Sequence, residues 1–200
     1  VSGLWLCADL SHPRAAELTA RLEAALRAGP STVWLRSAPG TSSRAVMRAA
    51  HALRALTLAR GAALFVGDRV DVALACGADG VHLPERSFTP RALTSLALRR
   101  SRAVHDVAGV TTHAPFCDVV IASPFGAVPG KGAALGVEGV RALVVAAGVT
   151  PVVALGGVRA AEGVRSCVRA GAKGVAVRGA LMDADDPEAA CAVLREALQG

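Results

Sequence analysis

Short runs of apolar, often β-branched residues alternate with longer amphipathic stretches along the whole chain. Runs apolar at nearly every position are what strands buried on both faces require, because a parallel sheet covered by helices has no wet face. Eight such runs are present: Leu4–Ala8, Thr32–Arg36, Ala63–Val66, Gly80–Leu83, Arg102–His105, Asp118–Ile121, Pro151–Leu155 and Gly174–Val177. Between them, Ala15–Ala28, Ser43–Arg60, Val137–Ala147, Ala160–Ala170 and Pro187–Leu198 repeat apolar residues every three or four positions, the period of a helix with one buried face. Gly29, Gly61, Gly77, Gly148 and Gly171 each follow a helical run, where a left-handed cap would turn the chain toward the next strand. His105 to Cys117 contains Gly109 and Pro115, so the fifth helix is expected to be short or degenerate.

This order predicts an α/β fold, a (β/α)₈ TIM barrel formed as one domain over residues 1–200. A doubly wound sheet is disfavoured, because no early glycine-rich βα turn matches the dinucleotide fingerprint. Gly77-Ala78-Asp79-Gly80-Val81-His82-Leu83 echoes Gly171-Ala172-Lys173-Gly174-Val175-Ala176-Val177, each a helix end feeding a buried strand. The echo supports repetition of a βα unit and says little about chemistry.

Composition narrows the classes further. Hydrophobic residues make up 52% of the chain and mean hydropathy is +0.44, yet the longest apolar run, Ala142–Val158, is broken by Thr150 and Pro151. No membrane span is expected. The opening segment Val1–Leu6 lacks a basic region and a cleavage pattern, which gives a cytoplasmic expectation. Cys7, Cys76, Cys117, Cys167 and Cys191 are scattered and never at a metal-ligand spacing, so they read as buried free thiols. The net charge of +6 and pI of about 9.7 come from dispersed basic residues, with Arg99-Arg100-Ser101-Arg102 the one cluster. With no Tyr and few other aromatics to stack bases, the charge suits an anionic small molecule better than nucleic acid. The oligomeric state stays open, a homo-oligomer included.

In such a barrel the reactive groups gather just after the strands. Those positions hold Asp9, Arg36, Asp68, His82 with Glu85, His105, Ser123 with Lys131, Gly156-Gly157 and Arg178-Gly179. Gly156, Gly157 and Gly179 follow strands seven and eight, the usual phosphate position, where unhindered N–H groups near helix starts attract anions. An ordinary βα turn is the plain alternative. Lys131 lies on the long Gly/Pro-rich loop from Ser123, suited to clamping a phosphate or diphosphate, and Arg36 is expected to point into the mouth at an anion or carboxylate. Asp68 can ligate Mg²⁺ or cap the following helix, and His82 and His105 can serve as acid–base groups or as hydrogen-bonded structural histidines.

Taken together, these segments resemble the thiamine-phosphate synthases and their TenI-type relatives over essentially the whole chain. The resemblance rests on Leu4–Asp9, Val33-Trp34-Leu35-Arg36, Phe65–Ala73, Gly77–Leu83, Ser123-Pro124-Phe125 with Lys131, Pro151–Val158 and Gly171–Val177. It implies coupling of hydroxymethylpyrimidine diphosphate to thiazole phosphate with Mg²⁺. Within it Arg36 and Lys131 match the basic positions, and His105 is a further catalytic candidate. Asp68 matches one metal carboxylate, with Glu85 a candidate for the second. Gly156, Gly157 and Gly179 match the thiazole-phosphate loops, with Ser123 and His82 beside them as substrate contacts.

Four positions depart from the synthase pattern. Trp34 and Ala38 stand where the family has Gln and Lys, Gly67 where it has Asn, and Ser87 where it has the second metal carboxylate. The TenI-type tautomerases bind the same thiazole phosphate and need a proton shuttle in place of Mg²⁺. Their histidine after strand six corresponds to about Pro124, unless His105 or His82 reaches that spot. Synthase, tautomerase and a phosphate-binding barrel without catalysis are therefore the alternatives.

Overall fold

The computed structural model describes residues 3–29 and 31–200; Val1, Ser2 and Pro30 lie outside the described residues. Eight parallel strands close into a barrel in chain order: β1 Gly3–Asp9, β2 Thr32–Arg36, β3 Ala63–Gly67, β4 Gly80–Leu83, β5 Arg99–Val104, β6 Val119–Ala122, β7 Val152–Leu155 and β8 Gly174–Val177. Around it run α1 Leu18–Arg27, α2 Ser43–Ala59, α3 Val70–Ala75, α4 Val107–His113, α5 Gly136–Ala147, α6 Ala161–Arg169, α7 Gly179–Met182 and α8 Pro187–Gln199. The barrel expected from the alternation is the one observed. The five capping glycines all take positive φ.

Strand residues alternate between two cores. Leu4, Leu6, Val33, Leu35, Leu64, Val66 and Val175 face the helices, while Trp5, Cys7, Trp34, Phe65, Ile121, Val153 and Ala176 fill the barrel interior. The same alternation carried one step further points Asp9, Arg36, Gly67 and Arg178 toward the axis at the C-terminal end. The polar mouth is therefore the continuation of an apolar floor.

Two elements differ from the sequence expectation. The fifth connection does hold a short helix, α4, with a 3₁₀ turn at Ala114–Phe116, but the fourth is more degenerate: β4 and β5 are joined with only a 3₁₀ turn at Pro90–Leu93. Pro84 and Pro90 bracket only five residues there, Glu85 to Thr89, too short a run between two prolines to sustain a helical hydrogen-bond ladder. Second, the cluster Arg99-Arg100-Ser101-Arg102 belongs to β5, and His105 lies just beyond that strand. The Arg100 amide donates to Asp118 Oδ2 at 2.8 Å, Ser101 is fully buried, and Arg102 is 4% exposed. The Arg100 side chain reaches Asp118 and that of Arg102 the loop after β4, while Arg99 is exposed.

Among the described residues no helix is long and apolar enough to cross a membrane. Four of the five free cysteines are buried and Cys117 is half-buried. Burial pushes the thiols of Cys7, Cys117, Cys167 and Cys191 up to about 12, so they are not nucleophiles at neutral pH.

Candidate active site at the barrel mouth

Asp9 ends β1 and is 1% exposed. Its Oδ1 accepts the Ser11 amide at 3.0 Å and the Ser11 hydroxyl at 2.6 Å, and its Oδ2 accepts from Arg36 Nη1. Burial works to raise the Asp9 pKa, but the two Ser11 donors and the Arg36 guanidinium outweigh it and hold the carboxyl below its usual value. Arg36, expected to face an anion or carboxylate, thus meets a carboxylate on the neighbouring strand while staying 46% exposed at the mouth. Arg178 Nη1 lies 3.9 Å from the same Asp9 oxygen.

His82 and His105 have separate environments. His82 is 2% exposed; its ring lies 4.2 Å from that of Trp34 and its Nδ1 is 2.9 Å from Ser101 Oγ. Burial, with the positive charge of Arg102, pushes its pKa down to about 3, so the ring is neutral and packs beside Trp34 in the barrel interior. His105 is part-exposed. Its Nδ1 is 2.6 Å from the Ser123 carbonyl oxygen, an acceptor only, so Nδ1 carries the hydrogen and Nε2 is left as the basic nitrogen. That Nε2 lies 3.6 Å from Glu85 Oε2. The mouth therefore brings His105, Glu85 and Ser123 together, with the carbonyl that holds the His105 ring one residue from Pro124.

Asp68 has φ of 60°, an unusual conformation for a residue with a side chain, fixed by its amide donating to the His82 carbonyl at 2.8 Å. The helix-capping alternative is not realised: α3 is preceded by Arg69 and has no side-chain cap. Asp68 instead lines a cavity of about 420 Å³ with Arg86, Ser87 and Phe88. Glu85 does not line it. Its carboxylate is at His105, and Arg102 fixes the loop between by donating to the carbonyls of Glu85 at 2.6 Å and Phe88 at 2.8 Å. No group of three or more His, Cys, Asp or Glu stands ready for a metal among the described residues. Asp68 with the Ser87 hydroxyl offers a single carboxylate.

The loop after β6 continues onto the end of β7: the Phe125 amide donates to the Leu155 carbonyl at 2.8 Å and Gly126 to Gly156 at 2.9 Å. This brings two backbones together. A Cβ on Gly157 would fall 2.7 Å from the Gly126 Cα, and Gly157 has φ of 74°, so its glycine has a packing reason independent of any ligand. The loop base is anchored while Lys131 stands exposed near its tip. Gly179 opens α7 beside Arg178.

Trp34 and Gly67, two of the departures, are one structural unit. A Cβ on Gly67 would fall 2.9 Å from Trp34 Nε1, so the indole occupies the space a side chain at 67 would need. Among the described residues its buried Nε1 has no hydrogen-bond partner. Arg102 and Ser11 were not singled out as site residues from sequence; Asp9 and Arg178 were named only by their positions just past a strand, a signal that inward parity would have sharpened.

Fold and mouth together define a (β/α)₈ barrel with guanidinium, carboxylate and imidazole groups at the C-terminal strand ends. A sequence model of the thiamine monophosphate synthase family matches residues 5–181. A thiamine-phosphate synthase of Deinococcus radiodurans is 38% identical over 194 residues, covering 92% of this chain and 68% of the relative. One from Xanthobacter autotrophicus is 36% identical over 208 residues, covering 98% and 94%. Among solved structures, thiamine phosphate pyrophosphorylase from Pyrococcus furiosus superposes with a TM-score of 0.85 at 27% identity, covering 98% of this chain and 95% of that one. The chain belongs to the thiamine monophosphate synthase family.

Proposed function

We propose that this barrel couples hydroxymethylpyrimidine diphosphate to thiazole phosphate, releasing diphosphate and forming thiamine phosphate. The observation that carries the reading is the family match through residues 5–181, which takes in every strand end that builds the mouth. Departure of diphosphate builds negative charge on its oxygens, and cations in a partly water-excluded mouth act most strongly on charge that develops during reaction. Arg36, held by a buried carboxylate, and Lys131, on the loop over the mouth, are the cations assigned to that task. Gly156, Gly157 and Gly179 are assigned to the thiazole phosphate, because glycine at the ends of adjacent strands lets an anion approach the main chain. Ser123 is assigned beside them, and His82 is assigned to the floor.

Mg²⁺ fits here only in company with substrate. Mg²⁺ is held by one or two carboxylates plus phosphate oxygens, and the residues in reach are Asp68 and the hydroxyl of Ser87. When bound it would neutralise charge on the diphosphate. Glu85 is assigned to His105 in place of the metal, given their 3.6 Å separation.

That contact also favours a second reading. His105 Nε2, 3.6 Å from the Glu85 carboxylate on a ring held by the Ser123 carbonyl one residue from Pro124, is assigned in this reading to the proton shuttle that a tautomerase needs. Calorimetry separates the two. The synthase reading expects thiazole phosphate to bind without metal and pyrimidine diphosphate to bind with Mg²⁺. Binding of thiazole phosphate alone, followed by its metal-free isomerisation, overturns it in favour of the second.

A further inference from the structure

Asp9, Arg36 and Arg178 come from β1, β2 and the residue after β8, three neighbours in the closed barrel. An ionised carboxylate at 1% exposure is tolerated only when its oxygens are satisfied, and here both are, by Ser11 on one side and Arg36 on the other. The two guanidiniums are treated differently. Their side chains keep 46% and 52% of their exposure, and among the described residues each has Asp9 as its only charged partner. A guanidinium carries five N–H donors, so a single shared carboxylate oxygen leaves most of them open to the mouth. Two positive charges against one negative leave the group cationic.

A second carboxylate of this sector, Asp183, has a partner of its own. His12, on the β1–α1 connection, lies with Nε2 2.7 Å from Asp183 Oδ1, just past α7. Asp183 is thus hydrogen-bonded to His12, with its Oδ2 3.3 Å from the place of a Cβ on Gly179, and among the described residues it forms no ion pair with Arg36 or Arg178.

We propose that Arg36 and Arg178 form a two-guanidinium clamp for a phosphoryl group, with Asp9 as the positioning residue that sets both forks. Paired planar donors match phosphate oxygens in geometry as well as charge. This rests on the mouth handling phosphorylated substrates and adds to Arg36 and Lys131 a third cation, Arg178, and a buried organiser. Arg178 stands immediately before Gly179, so the clamp joins the side-chain cation Arg36 to the backbone region assigned to thiazole phosphate.

The test is calorimetric titration of inorganic phosphate and inorganic diphosphate into the parent protein, Arg178→Gln, Arg178→Lys and Asp9→Asn. Loss of a charge-assisted hydrogen bond predicts at least about ten-fold weaker diphosphate binding in Arg178→Gln, partly restored in Arg178→Lys. Asp9→Asn discriminates most sharply. It removes a negative charge, so simple charge attraction would tighten anion binding, whereas a positioning role weakens it. Should Asp9→Asn fail to fold, Ser11→Ala removes one of the two Ser11 donors to Asp9 and is expected to weaken binding in the same direction. Tighter binding in Asp9→Asn, or Arg178→Gln within about two-fold of the parent, overturns the clamp. Inorganic probes keep this separate from the reaction. A barrel that binds diphosphate through Arg178 yet makes no thiamine phosphate leaves the clamp standing and fails the synthase reading; one that makes product with unchanged KM in Arg178→Gln does the reverse.

Discussion

Gly67→Ala probes the floor of the mouth, where the indole of Trp34 and the main chain of β3 share one space. The new Cβ falls 2.9 Å from Trp34 Nε1 and 3.0 Å from the Leu35 carbonyl oxygen, both tighter than a Cβ ordinarily tolerates. Trp34 cannot swing aside freely, being 8% exposed with its ring against His82. Overpacking of this kind costs about 1–3 kcal/mol. Against it stands a gain of about 0.4–1 kcal/mol from the stiffer unfolded chain, so a net loss of about 1–2 kcal/mol is expected. Trp34→Phe removes the clashing atom. It also removes a buried, unpartnered N–H whose burial costs about 1–3 kcal/mol, which offsets the weaker packing of the smaller ring and leaves the single variant within about 1 kcal/mol of the parent. In the Trp34→Phe background only the Leu35 clash remains, and Gly67→Ala should cost about 1 kcal/mol less than it does alone. Urea unfolding of the parent, both single variants and the double variant measures the coupling. Additivity within about 0.5 kcal/mol would mean that the two positions are independent and that the indole does not occupy the space of a side chain at 67.

Three further outcomes are expected. His82 stays neutral in the folded protein down to about pH 3, whereas in the unfolded chain it protonates near 6.5; its contribution is level above pH 6.5, and stability falls as pH drops below that, by up to about 1.4 kcal/mol per unit. His113, also lowered by burial and by Arg102, adds in the same direction. His82→Gln should remove most of the slope in urea midpoints between pH 6.5 and 5, and an unchanged slope would place its origin elsewhere. Ser87→Asp should tighten Mg²⁺ binding in the presence of pyrimidine diphosphate by supplying a second carboxylate across the cavity from Asp68; tight binding in the parent that disappears in Glu85→Ala would show that Glu85 leaves His105 to complete the pair. Lys131→Ala should raise the KM for the diphosphate substrate more than that for thiazole phosphate, and equal increases would show a general steering charge.

The barrel was legible because both faces of its strands are buried. A segment such as Val119–Ala122 has no wet side, and its sequence is apolar at every position. The start of β5 was hidden for the opposite reason: Arg99 and Arg100 lie at the N-terminal end of the barrel, where cations find water and Asp118, so the strand begins without an apolar signal. Site residues were legible as positions and not as partnerships. Arg36, His105 and Glu85 were each marked by standing after a strand, but the link from Arg36 to Asp9 and from His105 to Glu85 crosses between strands or loops distant in sequence. Likewise Trp34 and Gly67 read as two separate departures, although the bulk at one position is accommodated by the absence of a side chain at the other.

Turnover is the most direct measurement: purified protein with hydroxymethylpyrimidine diphosphate, thiazole phosphate and Mg²⁺, with thiamine phosphate and inorganic diphosphate quantified in the same sample. A synthase mouth of this design should yield the two products in equal amounts, both dependent on Mg²⁺ and both suppressed in Arg36→Gln. Thiazole phosphate recovered unchanged or isomerised, with no diphosphate released at saturating substrate and metal, would be incompatible with it.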